Sequence, residues 1–346
     1  MISRLEDIGG MIRVRLTVAK SKVVGVACTS TRPLDAADAF IGLDPTEVVA
    51  RIGSIYTLCG RAQSAASLGA FEDAAGLQIT PAQSIARDIL RLAEMLTQTA
   101  MRLCLHWPKA LGLEATPGIV RGCLSLEAAL EVDIFGGPDW KKIGGAPVRP
   151  ASTGTLSLLE GLMRQIRDLF EPGDLADSLR QELEWYHLEG FGALSLSDPL
   201  EHGALMRKWD HPAVSWKRRT FGSGLATRLE AGLCELREIA EAIVELEAML
   251  QSDPGLPVPD LRQGRGQATV ETARGPLTHA VEVADRLIAA YSITAPTEAN
   301  FAPDGVIEHG ILGVEAKDRM KLQLAARLLV LAVDPCVAYD VKIEDA

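Results

Sequence analysis

The chain lacks any run of about 18 consecutive apolar residues, the length a bilayer-crossing helix needs, so no transmembrane segment and no membrane insertion are expected. It also lacks an export signal. The stretch from Met1 to Leu16 mixes charged and apolar side chains from the start, with no uninterrupted apolar core. The expected compartment is therefore cytoplasmic, where thiols stay reduced. Cys28, Cys59, Cys104, Cys123, Cys234 and Cys336 are accordingly expected as thiols or metal ligands. No Cys-x-x-Cys, His-Glu-x-x-His or Gly-x-Ser-x-Gly occurs. Gly136-Gly137 and Gly144-Gly145 lack the spacing of a phosphate cradle, and the histidines are scattered.

Positive charge is scarce as well. Lys and Arg number 35 against 46 Asp and Glu, a net charge of −11. Phosphate binding needs a basic face, so nucleic acid is not an expected partner. The best basic run, from Arg207-Lys208-Trp209 to Trp216-Lys217-Arg218-Arg219, is short and interrupted, and reads as a solvated loop or a partner contact.

What is present is a globular composition, 47% apolar over 346 residues. A chain this long buries roughly three quarters of its unfolded surface and needs no disulfides to fold. Gly- and Pro-rich breaks at 136–154 and 251–266 are too short to demand a second domain. There is no internal repeat. One domain over 1–346 is expected, with a β hairpin in 1–30 and mainly helix over 45–346.

Met11 to Val18 alternates as a half-buried strand does. Ser21 and Lys22 read as the turn, and Val23 to Cys28 as the returning strand. Pro81 stands where a helix tolerates a missing N–H, and Ile85, Ile89, Leu92 and Leu96 carry that helix to about Leu105. Further helices are predicted over 155–170, 175–186, 228–250 and 317–331. The fold class is α+β, mostly helical, with a small N-terminal antiparallel β element.

Four short segments carry the chemistry. They are Ser3-Arg4-Leu5-Glu6; Leu58-Cys59-Gly60-Arg61-Ala62-Gln63-Ser64-Ala65-Ala66-Ser67; Glu271-Thr272-Ala273-Arg274-Gly275-Pro276-Leu277-Thr278-His279 followed by Ala295-Pro296-Thr297-Glu298-Ala299-Asn300-Phe301; and Asp334-Pro335-Cys336-Val337-Ala338-Tyr339. In this order they resemble the nickel–iron hydrogenase large subunit. That family has an Arg-x-Glu-Gly-His opening, then Cys-x-x-Cys-x-x-x-His, Glu-x-x-Arg-Gly with a downstream His, Pro-Thr-x-x-Asn, and a terminal Asp-Pro-Cys-x-x-Cys. The resemblance runs from about residue 3 to residue 339 and is thin between the motifs. It implies a large-subunit-like helical bundle.

The departures decide the reading. Cys59 falls on the second cysteine of the first pair, which puts Tyr56 on the first and Gln63 on the histidine. Alternatively, Cys59-Gly60 matches the first ligand. Cys336 falls on the first cysteine of the last pair and Tyr339 on the second. Each pair keeps one thiolate. The opening motif reads Glu6-Asp7-Ile8, and Lys342 stands where the family's processing protease cuts, so no proteolytic maturation is expected.

Thiolates suit soft metals and low-spin iron. Two thiolates cannot easily hold both nickel and iron, but they could complete the shell of an iron that brings its own cyanide and carbon monoxide. Arg274 matches the family arginine beside the cyanides, and a guanidinium fork suits an anionic iron–cyanide group. Its charge should also favour thiolate at a nearby cysteine.

The pattern resembles the hydrogenase accessory proteins of the HupK/HoxV type, thought to serve as scaffolds or chaperones. The resemblance implies no hydrogenase activity and no nickel. It implies metal ligands at Cys59 and Cys336, with Arg274, Pro296 and Thr297 around a transient Fe(CN)2CO fragment. Glu6, Tyr56, Gln63, Glu271, His279 and Tyr339 would form the surrounding shell. The partners it implies are the hydrogenase large subunit and the maturation proteins, among them the small chaperone and its iron-loading partner.

Plainer readings stand beside these. A lone cysteine is usually a small core residue. Arg274 could be an ordinary buried ion-pair arginine, partnered by Glu271. His279 could serve a structural hydrogen bond, Pro296-Thr297 a turn, and the two tyrosines inert packing or phenol donors. A different class also remains: a metal-free structural or regulatory subunit on the same fold. A redox enzyme with an unusual metal site is disfavoured by the missing Cys-x-x-Cys.

Overall fold

Helices fill most of the chain between residues 45 and 250, as the apolar spacing predicts. The computed structural model describes residues 10–31, 36–194 and 201–346. Strands β1 (Met11–Ala19) and β2 (Lys22–Ser30) lead into helices α1 (Pro45–Ile55), α2 (Gly60–Ala74), α3 (Pro81–Met101), α4 (Trp107–Leu111), α5 (Pro117–Phe135), α6 (Thr153–Asp168) and α7 (Leu175–Trp185). Two short helices, α8 (Ala204–Arg207) and α9 (Pro212–Phe221), precede the long α10 (Leu225–Met249). Strands β3 (Gly264–Thr272), β4 (Gly275–Ala284) and β5 (Leu287–Thr294) follow. Helices α11 (Pro296–Asn300), α12 (Val306–Ile311) and α13 (Arg319–Val333) and strand β6 (Ala338–Asp345) close the chain.

Ile12, Val14, Leu16 and Val18 of β1 are buried, while Arg13 and Arg15 face out, so the alternation fixes which face packs. The hairpin turn falls one residue earlier than the sequence suggests. Lys20 and Ser21 take positive φ (48° and 59°), the twist that a two-residue turn between right-twisted strands requires. The hairpin is not isolated. β6 pairs parallel to β1, giving the order β2-β1-β6 and tying the last residues to the first strand.

A second sheet, β3-β4-β5, was not anticipated in the helical reading of 45–346. It is an antiparallel meander packed on α2. Gly266 lets β3 lie directly on the backbone of α2, because a Cβ there would collide with Ala70 and Ala74.

Helix α3 begins where predicted, with Thr80 capping and Pro81 in the first turn. It does not continue regularly to Leu105. Arg102–His106 forms a π-helical turn, the kind of one-residue bulge that recurs at functional sites. α10 packs along α3, α3 along α5, and α5 along α6 around one large core.

The basic run is no solvated loop. Arg207 pairs with Glu235 at 2.6 Å and with Glu271, Lys208 pairs with Glu238, and Arg218 lies 4.0 Å above the Trp209 ring. These contacts fasten the end of α8 to α10 and β3, and α9 to the loop before it. Among the described residues, no helix is long and apolar enough to cross a membrane.

Candidate metal centre

Cys59 ends a short 3-10 turn between α1 and α2. Two glycines bring those helices close enough to hold it. A Cβ on Gly53 would sit 2.6 Å from the Gly60 carbonyl oxygen, and a Cβ on Gly60 2.5 Å from that of Gly53. The first backbone N–H groups of α2 need acceptors. Glu94 of α3 supplies them, taking hydrogen bonds from Arg61 N (2.8 Å) and Ala62 N (3.1 Å). Leu58, Gly60 and Arg61, which flank Cys59, also border an open cleft of about 500 Å³ with Glu127 and Glu131.

Arg274 occupies the tight turn from β3 to β4 and is buried. Its Nη1 donates to Gln98 Oε1 at 2.6 Å, its Nη2 donates to Asp334 Oδ1 at 3.4 Å, and its Nε lies 3.3 Å from Asp334 Oδ2. Gln98 in turn donates to the Leu58 carbonyl, beside Cys59. Asp334, the first residue of Asp-Pro-Cys, caps α13 with left-handed backbone (φ 61°). Its carboxylate also meets Arg102 Nη1 at 3.5 Å.

Cys336 follows two residues later. The Thr297 hydroxyl donates to its sulfur at 3.0 Å, and the Cys336 N–H donates back to Thr297 Oγ1 at 3.3 Å. Pro296 begins α11, which places Thr297 there. Asn300 donates to the Arg274 carbonyl at 3.2 Å. The Pro-Thr-x-x-Asn segment thus ties the arginine turn to the cysteine loop. Cys59, Cys336 and Arg274 lie within electrostatic reach of one another.

Behind Cys59 runs a buried polar chain. Gln63 Nε2 donates to Cys59 Sγ at 3.7 Å, and its Oε1 lies 2.9 Å from His279 Nε2. His279 Nδ1 is 2.8 Å from the Tyr291 hydroxyl, and that hydroxyl lies 2.9 Å from Ser67 Oγ. Burial pushes the His279 imidazole down to about 3, so it is neutral at physiological pH. A neutral ring donates from one nitrogen and accepts at the other, which fits a positioning role more readily than ligation through either nitrogen.

The remaining shell residues disperse. Glu271 is paired with Arg207, not with Arg274, and its carbonyl accepts from Arg91 at 2.9 Å. Tyr56 caps the end of α1 and packs against the core. Tyr339 is built into β6 beside Ile12, also against the core. Glu6 lies outside the described residues. The motifs mark none of Gln98, Arg102, Glu94 and Tyr291, and Ser67 only as the end of the second segment. Asp334 was quoted only as part of its motif. For Gln98 and Arg102 the one available signal was their place on a strongly amphipathic helix.

Arg274 draws the Cys59 thiol toward thiolate, as expected, but does not decide the outcome. Burial and the Glu94 carboxylate outweigh the guanidinium and push that thiol up to about 12. In the unloaded protein Cys59 is a protonated thiol. Iodoacetamide at pH 8 is expected to label it at least about a hundredfold more slowly in the folded than in the urea-unfolded chain, read by mass spectrometry of the Cys59 peptide. Equal rates would contradict the buried geometry.

The donor set suits a metal that arrives with ligands of its own. Among the described residues, no three His, Cys, Asp or Glu side chains converge as a cage for a bare ion. Two thiols and a guanidinium do converge. The guanidinium Nε is a buried donor without a hydrogen-bond acceptor, although it remains within ion-pair distance of Asp334.

The architecture is that of the hydrogenase large subunit. The Ni-Fe-Se hydrogenase of D. vulgaris Hildenborough superposes with a TM-score of 0.74 at 15% identity, covering 93% of this chain and 95% of that one. The Ni-Fe-Se hydrogenase of Desulfomicrobium baculatum gives 0.75 at 15% identity, with the same coverage. In sequence, the chain is similar over nearly its whole length to the HupK/HupV type of hydrogenase expression/formation protein. It is 29% identical to HupV of Azotobacter chroococcum mcd 1, over 96% of this chain and 98% of that protein. It is 28% identical to HupK of Azotobacter vinelandii, over 97% and 99%. HoxV of Cupriavidus necator matches at 33% over a shorter stretch, 38% of this chain and 40% of that protein. No protein-family model matches the chain.

Proposed function

We propose that the chain is a hydrogenase maturation scaffold that transiently holds the Fe(CN)2CO fragment as cargo and does not itself turn over hydrogen. The observation that carries this reading is convergence. One cysteine from each half-retained motif and the arginine of the third meet in one place, although positions 59, 274 and 336 are far apart in the chain. The similarity to hydrogenase expression/formation proteins supports the maturation setting.

In this reading the sulfurs of Cys59 and Cys336 bind the iron, while its own diatomic ligands supply the rest of the shell. Arg274 faces the anionic cyanides, with its two remaining contacts, Gln98 and Asp334, holding the fork in place. Thr297 steadies the Cys336 sulfur and Gln63 the Cys59 sulfur. The partners are then the hydrogenase large subunit as client and the maturation proteins that load the iron.

The test is genetic. In a host strain lacking the gene, wild type should restore hydrogenase maturation, whereas Cys59→Ala and Cys336→Ala, expressed at equal levels, should not. Full restoration by both variants would overturn the carrier role and leave a metal-free partner protein on the hydrogenase fold.

A further inference from the structure

Arg102 belongs to no motif, yet it is 5% exposed and reaches the same carboxylate as Arg274. It opens the π-helical turn that follows α3. Among the described residues, the one carboxylate within ion-pair distance of either guanidinium is that of Asp334. Among the described residues, two permanent cations therefore share one anion inside the protein.

Burying an uncompensated cation is costly, and sequences keep such charges where a ligand repays them. Arg102 also meets Asp334 at 3.5 Å, too long for a strong charge-assisted hydrogen bond.

We propose that Arg102 is a second anion-binding guanidinium, whose surplus charge selects a net-negative ligand at the Cys59–Cys336 centre. The inference deepens the carrier reading and rests on it for the identity of the ligand, but not for the excess of charge. Arg274 and Arg102 approach Asp334, at the start of the loop that carries Cys336, from the β3–β4 turn and from the π-helical turn after α3. A neutral ligand gains nothing from the second cation, whereas an iron group bearing cyanides does.

The test compares wild type, Arg102→Met and Arg102→Lys in the full chain. Urea unfolding of the unloaded proteins should leave Arg102→Met at least as stable as wild type, since a surplus cation has been exchanged for an apolar side chain of similar length. Co-expressed with the maturation machinery, Arg102→Met should retain at least tenfold less iron, with cyanide stretches displaced in whatever remains. Arg102→Lys should recover most of the iron. A clear drop in the urea midpoint of unloaded Arg102→Met would overturn the proposal, because Arg102 would then be a structural counter-ion of Asp334. So would wild-type iron content with unshifted cyanide bands in that variant. An infrared-silent wild type would sink the carrier reading instead, and the urea measurement would still decide whether the charge is surplus.

Discussion

Replacing Asp334 with asparagine is expected to lower folding stability by about 3–5 kcal/mol, as measured by urea unfolding at neutral pH. The side chain keeps its size, and asparagine tolerates the left-handed backbone at this position (φ 61°), so the loss reports charge and not strain. Arg274 and Arg102, both buried, would share a neutral amide in place of a carboxylate. Removing the single anion between two buried cations is costly for the same reason that breaking any buried pair is, and here two partners are stranded. Adding Arg102→Met to Asp334→Asn should recover part of the loss. A loss below about 1 kcal/mol would mean that water or another anion already compensates the pair.

Glu94→Gln and His279→Gln are expected to change the pH dependence of stability in opposite directions. Glu94 has its carboxyl raised from 4.5 to about 7, chiefly by burial. Between those values the folded state holds a proton that the unfolded chain has released, so this group makes stability fall as pH rises. His279 is lowered from 6.5 to about 3, again by burial. Between those values the unfolded chain holds the proton, so this group makes stability rise with pH. Each slope is about 1.4 kcal/mol per pH unit, and in wild type the two nearly cancel over the shared window. From pH 4.5 to 6.5, Glu94→Gln should gain stability relative to wild type by about 3 kcal/mol, and His279→Gln should lose about as much. Parallel curves for all three proteins would show that neither group is buried as described.

The chemistry was legible in the sequence in outline because it lies in short ordered motifs. Cys59, Arg274, Thr297 and Cys336 were each marked by their neighbours, and the fold brings them together. Their supports were not legible. Gln98 and Glu94 lie on α3 and Arg102 on the π-helical turn just after it, where the apolar spacing reports only which face is buried. A polar residue on that face does not announce its partner. Glu271, the nearest acidic residue in the arginine motif, was the natural partner for Arg274. The fold instead turns Glu271 toward Arg207 and gives Arg274 to Asp334, 60 residues away.

The helices at 81–101, 153–168, 175–185, 225–249 and 319–333 match the predicted ones, whereas α1, α2 and the 19-residue α5 (Pro117–Phe135) were not predicted individually. The meander β3-β4-β5 was missed although β4 alternates cleanly between buried and half-buried positions. Motif matching had claimed that stretch before its period was read. The π-helical turn carries no sequence mark at all. The similarity to expression/formation proteins and the hydrogenase fold agree with the family resemblance.

The most direct test of the central claim is infrared spectroscopy of the chain purified from cells with active maturation machinery, alongside Cys59→Ala and Cys336→Ala. The account expects cyanide and carbon monoxide stretches in wild type that are lost in both variants while the proteins remain folded. A spectrum without those bands in wild type, from cells shown to be maturing hydrogenase, would contradict it.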